Sequence, residues 1–208
     1  MDSIEGFILV GGASRRMGTN KAQLHLEGQS FVERIANTLA SIATKVTLVG
    51  GVSDDVGPEL PRAPDIHPGW GALGGIHGAL KACRSPWALV VACDMPFVTA
   101  ELFAHLASLR TGHEAVAPVQ DDGRPQPLCA LYEVASCLEQ AEGLIQSGKH
   151  RPLSLLQCVR TCWVPYSELL ELEGAERFFL NINTPQDYAL ALNEVGPTSS
   201  LSQTSHGA

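Results

Sequence analysis

A short apolar strand that runs straight into a loop rich in glycine and arginine constrains this chain more than any other feature. The stretch Gly6–Lys21 reads GFILVGGASRRMGTNK, and two glycines follow directly after Phe7–Val10. Glycine lets the backbone turn tightly and approach a ligand closely, while Arg15, Arg16 and Lys21 place three cations on or beside the loop. This combination is typical of an anion site, most simply for a chain of phosphates. An ordinary strand-to-helix turn with solvated basic side chains is the alternative.

The composition makes this basic loop a local exception. The 208 residues carry a net charge of −8, which disfavours a general nucleic-acid binder and a surface that adheres to anionic lipid. No apolar run approaches the roughly 20 residues that span a bilayer, and the start MDSIEG has no basic or apolar leader. We therefore expect a soluble, cytoplasmic protein. The length favours one domain over residues 1–195, and residues 196–208, which lack any apolar period, are predicted to be a disordered tail.

Apolar strands alternate with amphipathic helices along the chain. Trp87–Ala92 is a continuous apolar run, as in a strand buried on both faces of a parallel sheet. Ser30–Ala43 has helical apolar spacing and opens with the capping pattern S-x-x-E. Phe178–Ile182, FFLNI, is predicted to be a late apolar strand. Thr99 and Thr184 are predicted to cap two further helices. This alternation predicts a single-domain, three-layer α/β/α fold with a mostly parallel, Rossmann-like sheet.

The residues that follow these strands are the candidates for a binding site, because ligands of such sheets bind outside the carboxyl ends of the strands. One edge of the sheet is expected to gather glycines, cations, an acid and two amides. The strand-end groups are Gly11-Gly12, Gly50-Gly51, Asp94, and the pair Asn181 and Asn183.

Asp94 is the strongest single candidate for a binding residue. It follows a buried strand and precedes Met95-Pro96, and a lone carboxylate in that place can bind Mg²⁺ together with substrate phosphates and water. A turn or capping aspartate is the alternative. Asp65, in a loop rich in proline, is a weaker candidate that can equally form an Asx turn. Asn181 and Asn183 point the same way if their segment is extended, and they can bind a polar ligand or satisfy the start of the next helix.

Two familiar phosphate motifs were compared with the sequence. The P-loop pattern fails, because Gly12 and Gly18 are one residue too far apart and Thr19, not lysine, follows. The dinucleotide pattern G-x-G-x-x-G is matched by Gly69–Gly74, with Asp94 at a suitable later distance. A proline-broken loop rather than a strong strand precedes Gly69, so a nicotinamide-dinucleotide site is the less favoured interpretation.

Four motifs, taken together, resemble those of the nucleotidyltransferases that attach a nucleotide to molybdopterin. They occur in the family's order from Leu9 to Asp187, and the guanylyltransferase branch is the most similar. The segments are LVGGASRRMGTNK, GALGG at 71–75, CDMP at 93–96 and NINTP at 181–185. Three positions depart from the family pattern: Val10 stands for the usual alanine, Gly50 for the common asparagine, and Ala72 for the usual proline.

The resemblance implies transfer of GMP from GTP to Mo-molybdopterin, which forms the guanine dinucleotide cofactor and releases pyrophosphate. It implies that Mg²⁺ is bound by Asp94 and that the acceptor is bound near Asn181 and Asn183. It further implies catalytic roles for Arg16, Lys21 and Asp94. The implied nucleotide contacts are Leu9, Val10, Gly11, Gly12, Lys21, Asp65 and Asp94.

Three other functions stay open from the sequence. A molybdopterin cytidylyltransferase that uses CTP shares the same chemistry, and a sugar-nucleotide transferase of the same fold is more distant. A nucleotide-binding regulator without turnover belongs to another class. Chaperones that insert the cofactor, or apo-molybdoenzymes, are the protein partners that the resemblance suggests.

Overall fold

The computed structural model describes residues 2–10, 24–51, 59–67 and 69–195. Within these residues seven strands form one sheet, in the order β5-β4-β1-β6-β8-β7-β9, and β2 and β3 form a separate short hairpin. The strands are β1 (Ile4–Leu9), β2 (His25–Leu26), β3 (Gln29–Ser30), β4 (Val46–Val49), β5 (Arg62–Ala63), β6 (Trp87–Ala92), β7 (Ala115–Pro118), β8 (Cys129–Glu133) and β9 (Thr161–Val164).

Helices connect most of these strands. They are α1 (Phe31–Leu39), α2 (Gly71–Ala82), α3 (Ala100–Ser108), α4 (Val134–Gln146), α5 (Pro152–Cys158), α6 (Tyr166–Leu169) and α7 (Pro185–Val195), with a 3₁₀ turn at Ala175–Arg177. The longest of them, α4, has 13 residues. Among the described residues no helix combines the length and the apolar character needed to cross a membrane.

The sheet is covered by helices on both faces, which confirms the predicted three-layer fold. One core lies under α1 and α3 and includes Ile8, Leu89 and Phe103. The other lies under α2, α4 and α5 and includes Phe7, Val90 and Leu144. Most of the apolar side chains of β1 and β6 alternate between the two cores, and every residue of these two strands is buried.

Most of the sheet is parallel, and one strand is not. β1 pairs in parallel with both β4 and β6, while β8 runs antiparallel to β6 and to β7. β8 therefore begins at the edge of the sheet where β6 ends. Its register, Val91↔Cys129 and Trp87↔Glu133, places the residues just before Cys129 at that same edge.

Several local signals of the sequence act as predicted. Ser30 caps α1 and forms the reciprocal capping box with Glu33, whose carboxylate accepts from the Ser30 N–H at 2.7 Å. Thr99 caps α3 by accepting from the Leu102 N–H at 3.2 Å. Such caps satisfy N–H groups that have no partner within the helix.

The predicted strand at Phe178–Ile182 is wrong. The segment instead continues the 3₁₀ turn, with the Leu180 N–H donating to the Arg177 carbonyl at 3.0 Å. Gly174, at φ +79°, starts this turn in the left-handed region. Phe178 is fully buried in the core under α3, so the apolar character of the segment reflects packing of a turn and not pairing of a strand.

The glycines at positions 71–78 lie inside α2, and they let that helix approach the sheet closely. The helix begins at Gly71 and ends at Ala82. A Cβ at Gly75 would lie 3.1 Å from Leu9 Cδ1. A Cβ at Gly78 would lie 3.1 Å from the Pro64 carbonyl oxygen and 3.2 Å from Val49 Cγ1. These two glycines serve helix-to-strand packing.

We expect Gly78→Ala to lower the free energy of unfolding by about 1 kcal/mol, because overpacking a rigid site costs about 1–3 kcal/mol and alanine recovers about 1 kcal/mol of helix propensity. Gly143→Ala is the matched control, since a Cβ there meets nothing within 4 Å, and it should stabilise the protein. Urea unfolding of both variants measures the difference. Equal stabilisation by the two substitutions would show that the contact at Gly78 relaxes freely.

Candidate active site

The parallel strands end together, and their hydrogen-bond ladder continues one residue further. Past the strand ends, the Val10 N–H donates to the Val49 carbonyl at 3.0 Å. The Cys93 N–H donates to the Leu9 carbonyl at 3.1 Å, and the Gly50 N–H donates to the Ala63 carbonyl at 3.2 Å. Val10, Gly50 and Cys93 therefore lie in a row along the carboxyl edge of the sheet.

Two consecutive glycines turn the chain away from the end of β4. Gly50 and Gly51 have φ values of +79° and +83°. Among residues other than glycine, this backbone conformation is adopted mainly by asparagine and aspartate. A Cβ at Gly51 would lie 3.2 Å from Val10 Cγ2. The valine that departs from the family pattern thus packs against a glycine. Asparagine, which is common at position 50 in the family, can adopt the same left-handed backbone conformation. Gly50 therefore keeps the conformation but has no side chain to contact a ligand.

Asp65 follows the edge strand β5 and forms the Asx turn considered from the sequence. Its Oδ1 accepts from the His67 N–H at 3.1 Å. A Cβ at Gly74 of α2 would lie 3.3 Å from the same Oδ1 and 3.1 Å from the His67 carbonyl oxygen, so this loop lies directly on the helix. The turn places Asp65 at the carboxyl edge. A role in the Asx turn and a role in ligand binding are therefore compatible for this residue.

Asp94 lies beside the segment that carries Asn181 and Asn183. The Ile182 N–H donates to the Asp94 carbonyl at 3.0 Å, while Ile182 itself is buried. This bond joins two sequence motifs 88 positions apart. Asp94 is half-buried, as is Asn181, whereas Asn183 is exposed.

A second capping box fixes the exit of this segment into α7. The Thr184 N–H donates to Asp187 Oδ2 at 2.8 Å, and the Asp187 N–H donates to Thr184 Oγ1 at 3.1 Å. The Asn183 N–H also donates to Asp187 Oδ2, at 2.9 Å. The predicted start of this helix, with its cap at Thr184, is confirmed.

The structure thus brings one part of the predicted site together. Leu9, Val10, Asp65 and Asp94 follow or end neighbouring parallel strands, and Asn181 and Asn183 flank a residue that is bonded to Asp94. The predicted roles of Gly11, Gly12, Arg16 and Lys21 fall on residues outside those that the structure describes.

The chemistry of this edge fits a divalent cation that is shared with a substrate. Within residues 2–10, 24–51, 59–67 and 69–195, no three His, Cys, Asp or Glu side chains come together as a metal-ligand set. Magnesium in nucleotide sites commonly takes one or two carboxylates and completes its shell with phosphate oxygens and water. Asp94 is a hard oxygen donor at the correct edge of the sheet for such a site.

Comparison with known proteins gives consistent matches over most of the chain. The MobA-like NTP transferase domain matches residues 6–161. A probable molybdenum cofactor guanylyltransferase of Pelotomaculum thermopropionicum is 35% identical over 187 residues, which cover 89% of this chain and 90% of that protein. One of the same description from Chloroflexus aggregans is 36% identical over 207 residues, with 94% and 96% covered.

A solved structure agrees with these matches. Molybdopterin-guanine dinucleotide biosynthesis protein A of Archaeoglobus fulgidus superposes with a TM-score of 0.77 at 29% identity, covering 91% of this chain and 97% of that one. The chain belongs to the MobA-like NTP transferase family. Membership confirms the resemblance that the four sequence motifs predicted, and it confirms the fold class.

The MobA-like assignment also resolves the dinucleotide pattern at Gly69–Gly74. Gly74 is closely packed, because a Cβ there would lie 3.0 Å from Trp70 Cβ as well as close to the Asp65 loop. Gly69 and Gly71 have φ values of +90° and +59° and shape the turn into α2. These glycines serve local geometry, so the nicotinamide-dinucleotide interpretation has no support from their positions.

A separate cleft of about 670 Å³ lies beyond Asp94, between α1 and the segment Pro96–Glu101. Its two arginines are engaged: Arg34 pairs with Glu27 at 3.0 Å, and Arg177 lies over the Phe97 ring at 5.8 Å and pairs with Glu176. Glu27, Glu101 and Glu173 also line it. Paired arginines among carboxylates do not suit a polyphosphate, so this cleft is a poor candidate for the nucleotide.

A histidine pair beside Asp65 was not visible in the sequence. The ring centroids of His67 and His77 lie 4.9 Å apart, and Trp70 stacks on His150 with centroids 4.0 Å apart. His77 is only 2% exposed, and neither of its ring nitrogens has a hydrogen-bond partner among the described residues. Ten sequence positions separate the two histidines, one in a loop and one in a helix, so no periodicity indicates their contact.

The environment of His77 keeps its imidazole neutral. Burial lowers the pKa of His77 below its ordinary value of 6.5, and the neighbouring His67 and Lys81 lower it further. Glu142 opposes this change in pKa, but its Oε1 lies 3.7 Å from His77 Nε2, which is too long for a hydrogen bond.

Gln126 is a second residue that sequence reasoning missed. It is 7% exposed and lies just before β8, at the carboxyl edge. Its side chain makes no hydrogen bond that joins it to a described residue. The signal was a polar residue between Pro125 and Pro127 at the start of an apolar strand.

Because the folded state resists protonation of His77, we expect stability to fall on acidification. Neutral His77 makes its full contribution to the free energy of unfolding above about pH 6.5. As the pH falls from 6.5 through the lowered pKa, this contribution is lost by at most about 1.4 kcal/mol per pH unit for one proton. His77→Gln should flatten this part of the profile of unfolding free energy against pH. His25→Gln, at an exposed histidine, is the control and should keep the wild-type slope. Parallel profiles for all three proteins would contradict the assignment.

Proposed function

We propose that this protein transfers GMP from GTP to Mo-molybdopterin, forming the guanine dinucleotide cofactor and releasing pyrophosphate. The observation that carries the proposal is the bond between the Ile182 N–H and the Asp94 carbonyl, which joins the CDMP and NINTP motifs at the carboxyl edge. Membership in the MobA-like family supports the same reaction, as do the relatives described as probable molybdenum cofactor guanylyltransferases.

The donor nucleotide is assigned to the side of Asp94 formed by β1, β4 and β5. The backbone of Leu9, Val10, Gly11 and Gly12 would contact the nucleotide closely, since glycine leaves room for such an approach. Asp65 would contact the nucleotide from the end of β5. Lys21 would bind the phosphates.

The acceptor is assigned to the side of Asp94 where the NINTP segment lies. Asn181 and Asn183 would bind molybdopterin through their side-chain amides, which can both donate and accept hydrogen bonds. The backbone bond at Ile182 and the capping box at Thr184 hold this segment in place, so little ordering is needed when the acceptor binds.

The reaction needs positioning and charge stabilisation more than covalent help from the protein. The phosphate of molybdopterin would attack the α-phosphorus of GTP in line, a new P–O bond would form, and the bond to pyrophosphate would break. An ionised phosphate is already a nucleophile, so no general base is required. Arg16 and Lys21 would neutralise charge on the transferred and leaving groups.

Magnesium is the cofactor that we assign to this site, with Asp94 as its protein ligand. When bound, the ion supplies Lewis-acid stabilisation of phosphate charge. Asp94 would hold it at the boundary between the donor and acceptor sides. We further propose that the reaction takes place in the cytoplasm, without nucleic acid or membrane as a partner, and that the product passes to an insertion chaperone or an apo-molybdoenzyme.

Nucleotide binding is the first test of the donor. We expect GTP to bind more tightly than CTP, ATP and UTP when each is titrated calorimetrically into the purified protein, and Mg²⁺ to strengthen the binding of GTP. A preference for CTP would retain the site and move the protein to the cytidylyl branch. Binding of GTP with no pyrophosphate release in the presence of Mo-molybdopterin would indicate a regulator without turnover.

Asp94→Ala tests the assigned magnesium ligand. We expect kcat to fall by about 100- to 1000-fold, as happens when a group that stabilises transition-state charge is removed, while the thermal unfolding midpoint stays near that of the wild type. Asp2→Ala makes the same chemical change at an exposed position before β1, at the opposite edge of the sheet, and should leave kcat unchanged. Normal Mg²⁺-dependent turnover by Asp94→Ala would refute the assignment.

A further inference from the structure

The loop that follows β5 rests on the middle of α2 through a pair of histidine rings. The ring of His67 packs on that of His77, with centroids 4.9 Å apart, and its centroid lies 6.3 Å from that of Trp70. The loop backbone is equally close to the helix, since a Cβ at Gly78 would lie 3.1 Å from the Pro64 carbonyl oxygen. The side chain of His77 therefore forms part of the surface on which this loop lies.

The main chain of His67 fixes the position of Asp65. Its N–H donates to Asp65 Oδ1 at 3.1 Å, and its carbonyl accepts from the Trp70 N–H at 3.1 Å. Both bonds belong to one residue, so a shift of the His67 ring on α2 is transmitted to both of them. His67 thus links the carboxylate of Asp65 to the helix.

His77 is buried without a hydrogen-bonding role in the fold. Only 2% of the residue is exposed, and neither ring nitrogen finds a hydrogen-bond partner within the described part of the chain. Buried polar groups are nearly always paired, and an apolar ring would fill the same space without leaving two nitrogens unpaired. What an imidazole offers beyond packing is a change of charge close to neutral pH.

The groups that face His77 oppose that charge. They are His67 from the loop, Lys81 from the same helix and Glu142 from α4. Glu142 is already paired with Lys81 at 3.1 Å, while Glu5 of β1 accepts from a backbone N–H beyond the end of α2. Apolar side chains from the sheet and from α5 cover the inner face of the helix. Burial first, and then His67, lower the pKa of His77 below 6.5.

We infer that His77 is a positioning residue for the donor nucleotide, because it holds the loop of Asp65 against α2 through His67. This inference rests on the proposed function, since it assumes that Asp65 contacts the donor. The contact requires a neutral ring, because a buried imidazolium would lie against His67 with its N–H groups unpaired. Below its lowered pKa, protonated His77 would release the loop and weaken the binding of GTP. The acceptor is assigned to the other side of Asp94 and would bind as before.

His77→Phe and His77→Ala test this role together. Phenylalanine keeps a ring against His67 and cannot be protonated, whereas alanine removes the ring. The γ-phosphate of GTP also titrates near pH 6, so the quantity to follow is the ratio of the wild-type dissociation constant for GTP to that of His77→Phe. We expect this ratio to be near one at about pH 8 and to rise on acidification, by at most about tenfold per pH unit for one proton.

The alanine variant separates positioning from catalysis. At about pH 8, where His77 is neutral, we expect His77→Ala to raise the KM for GTP by at least about fivefold, the lower end of typical coupling between two sites. Its kcat and its KM for Mo-molybdopterin should stay near the wild-type values. Without nucleotide, peptides that contain His67 should exchange their backbone hydrogens faster in this variant. His113→Phe, before β7 at the opposite edge of the sheet, is the matched control and should keep the wild-type pH profile.

The remaining outcomes are distinguishable when all four proteins are compared where circular dichroism shows them to be folded. A ratio that stays flat with pH, or tight GTP binding by His77→Ala, would overturn the inference alone. Equal rises in KM for GTP and for Mo-molybdopterin would also overturn it, by showing a general structural role. Wild-type protein that binds no GTP at any pH would refute the proposed function, and this inference with it.

Discussion

The arrangement of the whole molecule depends on hydrogen bonds that continue the parallel ladder past the strand ends. The carbonyl of Leu9 accepts from Cys93, and the next residue, Val10, donates to Val49. These two bonds hold the end of β1, the end of β4 and the CDMP motif in one row. A one-residue slip in either pairing would invert the faces of β1 or of its neighbour, and both faces are buried. The register of the strands and the order of the site residues are therefore fixed by the same packing.

The glycines of α2 add a second constraint of the same kind. Gly75 and Gly78 bring the helix against Leu9 and Val49, and Gly74 brings it against the loop that carries Asp65. Leu9 thus supports the site from two directions, through its backbone toward β6 and through its side chain toward α2. The sequence pattern suggested ligand contact for this cluster, and the structure shows that three of its glycines instead set the distance between layers.

The sequence predicted those features that have a local cause. The buried run Trp87–Ala92 and the caps at Ser30 and Thr184 follow from apolar period and side-chain chemistry within a few residues, and the structure has all three. The strand prediction at Phe178–Ile182 is wrong because a run of apolar and aromatic residues is expected both in a strand and in a turn that packs on the core. Contact between the CDMP and NINTP motifs was expected only because residues that follow parallel strands gather at one edge of a sheet. The His67–His77 contact and the burial of Gln126 arise from tertiary packing, which leaves no periodic signal in a single sequence.

Because β8 runs antiparallel to its neighbours, the strands on its two sides are joined by different kinds of connection. On the side of β1, β4 and β5 the strands run in parallel, so each connection must cross back to the other end of the sheet, and α1 and α2 lie in two of these connections. On the side of β8, residues 119–128 join β7 to β8 at one edge of the sheet, and the two strands pair directly without a crossover. An insertion between residues 119 and 128 would therefore lengthen a surface connection without moving a helix layer, whereas an insertion between β1 and β4 or between β5 and β6 would also displace α1 or α2.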